Sequence, residues 1–366
     1  METFDDERMT MATGTILFLD DDHVVRIARA VLANEADAQW LRAYFAPETP
    51  DFAPLVEASR GITRADGIRI ESGGGVDPRE FDPDVVVFRR GEMRADQIDG
   101  CTRLKLIQRL GERAEGIDLD AAKRRGVAVS CLPRRTLAFT AEHALLLMLA
   151  LGKKVTQCDR LVRCADVPAS PGVDGVAYNW IGLDGLSGLH GKTLGVIGLG
   201  EVGTLVVRLA RAFGMNVIYT RRKPLDAAGE AAIGATYDTL EGLLTRADFV
   251  SLHAANLPEN RAMMSRSQFE SMRPHAYFVN TSRGGLVDED ALYEALAAKR
   301  IAGAGLDVHA FEPRAATDRF CALDNVILTP HVAGGSRSGL LPELRVLLDN
   351  CRAAFGGATT FAHQIA

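Results

Sequence analysis

Short apolar runs alternate along this chain with stretches whose apolar positions recur every third or fourth residue. A continuous apolar run is the pattern of a strand covered on both faces; the wider spacing is that of a helix with one buried side. Runs at 15–20, 84–88, 104–108 and 127–129 predict one set of strands, with helices over 24–34 and 118–125. Runs at 194–198, 216–220, 248–253, 276–280, 303–307 and 326–329 predict a second set, with a helix over 204–213. Residues 137–163 read as one long helix with Leu145, Met148, Leu149 and Val155 on its apolar side, and 340–355 as a helix returning to the first domain. Residues 48–83 are rich in Pro, Gly and charge and give no readable connectivity, and 168–191 read as a glycine-rich linker. Strand–helix alternation predicts parallel sheets covered by helices. The expected architecture is α/β, with two doubly wound parallel-sheet domains and a cleft between them. Residues 1–134 with 331–366 form one domain and 135–330 the other. Ligands of such sheets bind beyond the C-terminal strand ends.

Composition narrows the class. At 366 residues the chain is long enough for two or three domains, and its net charge of −6 argues against a nucleic-acid footprint. Six cysteines make no C-x-x-C pair, as in a reducing compartment, and no metal site is expected. The acidic start lacks the basic and apolar pattern of a signal peptide, and its first dozen residues read as disordered. The apolar run 144–151 is too short to span a bilayer and reads as a buried helix segment. A cytoplasmic protein without a membrane partner is expected.

The most informative segment joins the run at 194–198 to the helix after it. Gly198, Gly200 and Gly203 stand in the spacing G-x-G-x-x-G. The first glycine makes a tight turn, the second lets the backbone approach a pyrophosphate, and the third lets helix and strand pack closely. Glu201 and Val202 open the helix, whose N-terminus faces the anion. Three more segments follow at strand ends, at 278–288, 303–313 and 328–335. They carry Arg283, a rigid fork of donors that matches a carboxylate; Glu312; and His331, which exchanges a proton near neutral pH. Beside a nicotinamide these three make sense as a ketone-reducing set: the arginine binds and polarises, the histidine gives a proton, the glutamate keeps it charged. Each alone has a plainer reading: a surface ion pair for Arg283, a cap on the Gly334 turn for His331, a solvated loop carboxylate for Glu312.

Taken in order, the segments at 104–107, 116–122, 140–145, 190–200 and the three above resemble the D-isomer-specific 2-hydroxyacid dehydrogenases. The resemblance implies a flavodoxin-like substrate domain, a Rossmann-like NAD(P) domain and a homodimer through the helix after Leu137. It places the catalytic arginine, glutamate and histidine on Arg283, Glu312 and His331 and a nicotinamide-contacting aspartate on Asp307. It places further cofactor contacts on Ala254, Pro258, Thr281 and Ser282, with Gly334 in the last segment. The implied substrate is a small 2-keto or D-2-hydroxy acid.

The chain departs from the family pattern where a substrate carboxylate is usually held. The loop after the third strand run reads Arg109-Leu110-Gly111-Glu112-Arg113, and Pro133 is followed by Arg134 and Arg135. Arg90, Gly111 and Glu112 join Arg283 as expected substrate contacts, and the added arginines point to a keto acid with a second polar or anionic group. These arginines equally suit pairing with Glu92, Glu112 and Glu115. An NAD enzyme of this fold places an acid at the end of its second strand; here Thr220, Arg221 and Arg222 stand there, which favours NADP over NAD while leaving NAD possible. Two other readings are a nucleotide-sensing corepressor-like protein and a formate- or phosphite-type dehydrogenase.

Overall fold

The computed structural model describes residues 14–33, 39–164, 179 and 183–366. The expectation for the first dozen residues, and most of that for the 168–191 linker, lie outside the described residues. The chain divides into two compact units, 1–135 with 336–366, and 136–335, so it crosses between them twice.

The first unit is a five-stranded sheet of β1 (Gly14–Phe18), β2 (Ile68–Ser72), β3 (Val85–Phe88), β4 (Leu106–Leu110) and β5 (Ala128–Leu132), in the order β2-β1-β3-β4-β5. Every ladder is parallel. Both faces are covered, as the apolar runs require. Ile16, Phe18, Val85 and Val87 pack on one face with Leu344, Leu347 and Leu348 of the helix Leu341–Phe355. Leu17, Val86, Phe88 and Ile107 pack on the other with Ile98 and Ala121. The order is that of flavodoxin-like sheets. The unread 48–83 segment supplies the edge strand β2 and the short helix Ala53–Ala58.

The second unit holds β6 (Thr193–Ile197), β7 (Asn216–Thr220), β8 (Thr236–Tyr237), β9 (Phe249–Leu252), β10 (Tyr277–Asn280), β11 (Gly303–Leu306) and β12 (Val326–Leu328). Their order is β12-β11-β10-β9-β6-β7-β8, again all parallel. The chain leaves β6 toward β7 on one side and returns to β9 on the other, so β6 flanks the switch point of a Rossmann-type sheet. The two-residue strand β8 was not foreseen.

The single helix expected over 137–163 is two helices, Arg135–Gly152 and Val155–Arg163. Lys153 closes the first by donating to the Leu149 carbonyl, and Lys154 then takes a left-handed conformation with φ 51°. Among the described helices, Arg135–Gly152 alone is long and apolar enough to cross a membrane by length and composition. Half of that window is buried, and Ala144, Leu145 and Met148 pack against β6 and β9 residues Val196 and Phe249.

Candidate functional site

The glycine loop follows β6. Gly198 has φ 93°, and a side chain there would lie 2.6 Å from the Ala254 nitrogen and 2.7 Å from the His253 carbonyl. A side chain on Gly203 would lie 2.2 Å from the Gly198 carbonyl oxygen. Above Gly200, which precedes the helix Glu201–Ala212, a side chain would meet nothing within 4 Å. The turn is therefore as tight as bare backbone permits, and open space lies over a helix N-terminus whose first N–H groups have no intrahelical acceptor. This cradle fits a dinucleotide pyrophosphate. The other expected cofactor contacts follow neighbouring strands of the same sheet. Ala254 and Pro258 follow β9, and Thr281 and Ser282 follow β10. The Thr281 hydroxyl is buried with no hydrogen-bond partner among the described residues. Within β7, the Tyr219 hydroxyl accepts from the Leu225 N–H (2.8 Å) and bonds Glu230 (3.1 Å), which pins both ends of the Arg221–Arg222 loop. Arg222 lies 3.4 Å from Glu259. Burial pushes His253 down to about 4; its ring bonds the Ser251 hydroxyl at 2.8 Å.

Arg283, Glu312 and His331 follow β10, β11 and β12, three neighbouring strands. A parallel sheet puts all its C-terminal ends along one edge, so residues far apart in sequence meet there. Asn280, almost fully buried, shapes the first loop: its Oδ1 accepts from the Ser282 N–H and hydroxyl, and its amide donates to the Arg283 carbonyl. Arg283 itself is exposed and donates to the Ser282 carbonyl. Gly284 seats this loop on the next, because a side chain there would lie 2.1 Å from the His309 carbonyl. Glu312 Oε2 meets His331 Nδ1 at 2.7 Å, and its Oε1 accepts from the His309 N–H at 2.9 Å. Partial burial acts to raise the Glu312 pKa, but these bonds outweigh it and hold the carboxyl below its ordinary value. His331 has φ 55°, an unusual backbone for a residue with a side chain.

Asp307 is fully buried and ties the His331 loop to β11. Its carboxylate accepts from the Thr329 hydroxyl (2.7 Å) and from the Val332 and Ala333 N–H groups (2.9 Å each). Its own carbonyl accepts from His331 N–H at 2.8 Å. His143, on the helix Arg135–Gly152, bonds the same Thr329 hydroxyl at 3.1 Å. Asn280, Thr329, His309 and Arg314 were not singled out from the sequence. A histidine two residues past Asp307, just beyond the buried end of β11, was the available signal. Gly334 sits in the turn closed by Gly335 N–H on the Val332 carbonyl.

The first unit's candidates share one edge of their own sheet. Arg90 follows β3, and Gly111 and Glu112 follow β4. Gly111 has φ 143° and donates to the Leu132 carbonyl. Most of the extra arginines here have carboxylate neighbours: Arg89 pairs with Asp22, Arg113 with Glu115 at 3.4 Å, and the buried Arg134 lies 3.9 Å from Glu343. Arg90 and Arg135 are exposed and make no ion pair among the described residues. A cavity of about 530 Å³ opens at the opposite edge of the second unit's sheet, lined by Lys192, Asp248, Tyr277 and Asn325, and none of the candidates faces it.

The model of the D-isomer specific 2-hydroxyacid dehydrogenase NAD binding domain matches residues 145–333. A protein of Staphylococcus saprophyticus named as a 2-hydroxyacid dehydrogenase is 35% identical over 293 residues, 77% of this chain and 88% of its own. The D-3-phosphoglycerate dehydrogenase of Archaeoglobus fulgidus is 34% identical over 79% of this chain and 53% of its own length. In fold, the chain is similar to the apo D-mandelate dehydrogenase of Rhodotorula graminis, with a TM-score of 0.60, 23% identity, and coverage of 97% and 98% of the two chains. With its nicotinamide-binding sheet and this matched domain, the chain is an oxidoreductase acting on CH–OH donors and belongs to the D-isomer specific 2-hydroxyacid dehydrogenases.

Proposed function

We propose that the enzyme interconverts a small 2-keto acid and its D-2-hydroxy acid, with Arg283, Glu312 and His331 as its acting residues. The observation that carries this is the 2.7 Å contact between Glu312 and His331 on the strand next to the Arg283 loop. A bound nicotinamide supplies the hydride. Arg283 holds the substrate carboxylate and polarises the keto oxygen. Glu312 occupies Nδ1 of His331, so Nε2 is the atom that hands a proton to the keto oxygen in reduction and takes it back in oxidation. Reduction therefore loses rate as pH rises and the imidazolium gives up its proton. Glu312→Gln removes the neighbouring anion and moves that loss to lower pH. A pH profile unchanged by Glu312→Gln defeats the pairing.

The cofactor preference follows from the loop after β7. Arg221 and Arg222 stand where an acid would accept the ribose 2′-hydroxyl, and the Tyr219–Leu225 bond holds the loop in place. NADPH is therefore the better cofactor, with Arg221 the main phosphate contact because Arg222 is shared with Glu259. The check is kcat/KM for each cofactor with one active keto acid, in wild type and Arg221→Ala. NADH winning in wild type, or an equal loss for both cofactors in Arg221→Ala, rejects the preference.

The first unit acts as the substrate domain in this reading, with Glu112 lending its backbone N–H to the substrate, Gly111 shaping the turn while its own N–H donates to the Leu132 carbonyl, and Arg90 contacting a second polar or anionic group. Charge reversal at Arg90 then raises KM more for oxaloacetate than for pyruvate. Leu146, Val155 and Val162, exposed on the two helices that follow Pro133, support a homodimer through that surface, which light scattering of wild type and Leu146→Glu tests.

A further inference from the structure

The loop between β11 and β12 contains a second histidine that the proposed chemistry does not use. His309 is buried. Its Nδ1 lies 3.0 Å from Nε of Arg314, and its Nε2 lies 3.0 Å from the Thr329 carbonyl oxygen. A guanidinium only donates and a carbonyl only accepts, so the partners alone fix the ring: Nδ1 accepts, and Nε2 carries the hydrogen and donates. Arg314 is held in turn. Its side chain is 8% exposed, with Glu289 at 2.5 Å, Asp318 at 2.7 Å and the face of Phe320 at 4.8 Å. Two carboxylates and an aromatic face leave the guanidinium one orientation, with Nε aimed at the imidazole.

The same histidine touches the three loops that carry Arg283, Glu312 and His331. Its backbone N–H donates to Glu312 Oε1. Its ring holds Thr329, whose carbonyl also accepts from His331 N–H at 3.1 Å. Its own carbonyl is the surface on which Gly284 seats the Arg283 loop. The distance from Glu312 to His331 is thus set from both sides by one residue.

We propose that His309, locked in its Nε2–H tautomer by Arg314, is the positioning residue that holds Glu312 and His331 at hydrogen-bond distance. The proposal rests on the acid–base role given above to that pair. His309 itself exchanges no proton with substrate. A single-tautomer imidazole serves here because it offers an acceptor on one side and a donor on the other, across the gap between two strand ends.

The test combines histidine-selective ¹⁵N spectra with steady-state rates of NADPH oxidation by glyoxylate, pyruvate and oxaloacetate. In wild type the His309 signals, assigned by their loss in His309→Gln, show the Nε2–H pattern. In Arg314→Leu that pattern gives way to tautomer exchange, and the His331 titration moves. Losing one aligning hydrogen bond lowers kcat about tenfold in Arg314→Leu and His309→Phe. KM for NADPH stays near wild type, and the loss of reduction with rising pH begins at lower pH. His309→Gln retains a donor for Thr329 and recovers part of kcat, which a purely structural role does not predict. An Nδ1–H or mixed tautomer in wild type overturns the proposal, as does a wild-type His331 titration in Arg314→Leu. If Arg314→Leu does not fold, His309→Gln and His309→Asn decide between the two bonds. Glu312→Gln in the same series separates the layers. If it leaves the His331 titration unmoved, the acid–base pairing fails; if it moves the titration and the Arg314 and His309 variants do not, only the positioning role fails.

Discussion

Single residues at the C-terminal edge of the second sheet carry distinct physical loads. In the proposed reaction Arg283 is asked for fork geometry as well as charge, so Arg283→Lys keeps the cation and loses the planar pair of donors. A fall in kcat/KM on the order of 10²–10³ is expected, and a near-wild-type value removes Arg283 from its role. Asp307 is asked for three acceptances at once, from Thr329, Val332 and Ala333. Asp307→Asn keeps one oxygen but turns an amide donor toward a backbone donor. That costs about 1–3 kcal/mol, read as a lower urea midpoint, and loosens the segment that carries His331. His253 is neutral in the folded protein because burial holds it down to about 4. Below about 6.5 the unfolded chain takes up a proton that the folded chain refuses. Its share of stability is present above that pH and is lost as pH falls toward 4, amounting to about 3 kcal/mol at most. Urea midpoints at pH 7 and pH 5 should therefore differ less in His253→Gln than in wild type.

At the level of elements, what could be read was what the backbone pattern forces. Runs such as Val85–Phe88 and Phe249–Leu252 are apolar throughout because both sheet faces are covered, and such runs are visible in any sequence. Residues at the ends of those runs meet because every strand is parallel. That is why Arg283, Glu312 and His331 were legible as a group. The edge strand β2, with its alternating buried and exposed residues, lies in a segment whose charges hide it. The break at Lys154 depends on a left-handed lysine, a residue that announces no turn. The partners of His309 and Asp307 were hidden for another reason: Thr329 lies some twenty residues away from either, and only the β11–β12 pairing brings it near. Loop-to-loop packing is also invisible in sequence, and Gly284 is its sharpest case. Gly284→Ala drives a methyl into the His309 carbonyl, so it is expected to cost about 1–3 kcal/mol and to lower kcat by separating two strand ends. Unchanged melting and unchanged kcat in that variant contradict the contact.

For the whole molecule, the first unit is built from two distant pieces of chain. Helix Leu341–Phe355 fills one face of its sheet, and Asn350 bonds Gln108 (2.8 Å) inside it. The last residues pair with β5, where Val129 N–H donates to the Ala366 carbonyl and Ile365 N–H to that of Val129. Removing residues 336–366 should abolish the unfolding transition of the first unit and leave that of the second, as separate denaturant transitions reveal. The double crossing also sets an order of events. During synthesis the N-terminal piece emerges first, yet its core stays open until the far helix arrives. Closing a loop that spans the whole second unit costs about 5 kcal/mol of chain entropy if that loop is unfolded. In the folded second unit Gly335 lies against the Phe139 ring, so its two ends are already side by side. We therefore expect the second unit to fold first and to act as a template that presents the pieces of the first to each other. Residues 136–335 expressed by themselves should fold, and refolding of the full chain should show the nucleotide-binding half maturing before the N-terminal half.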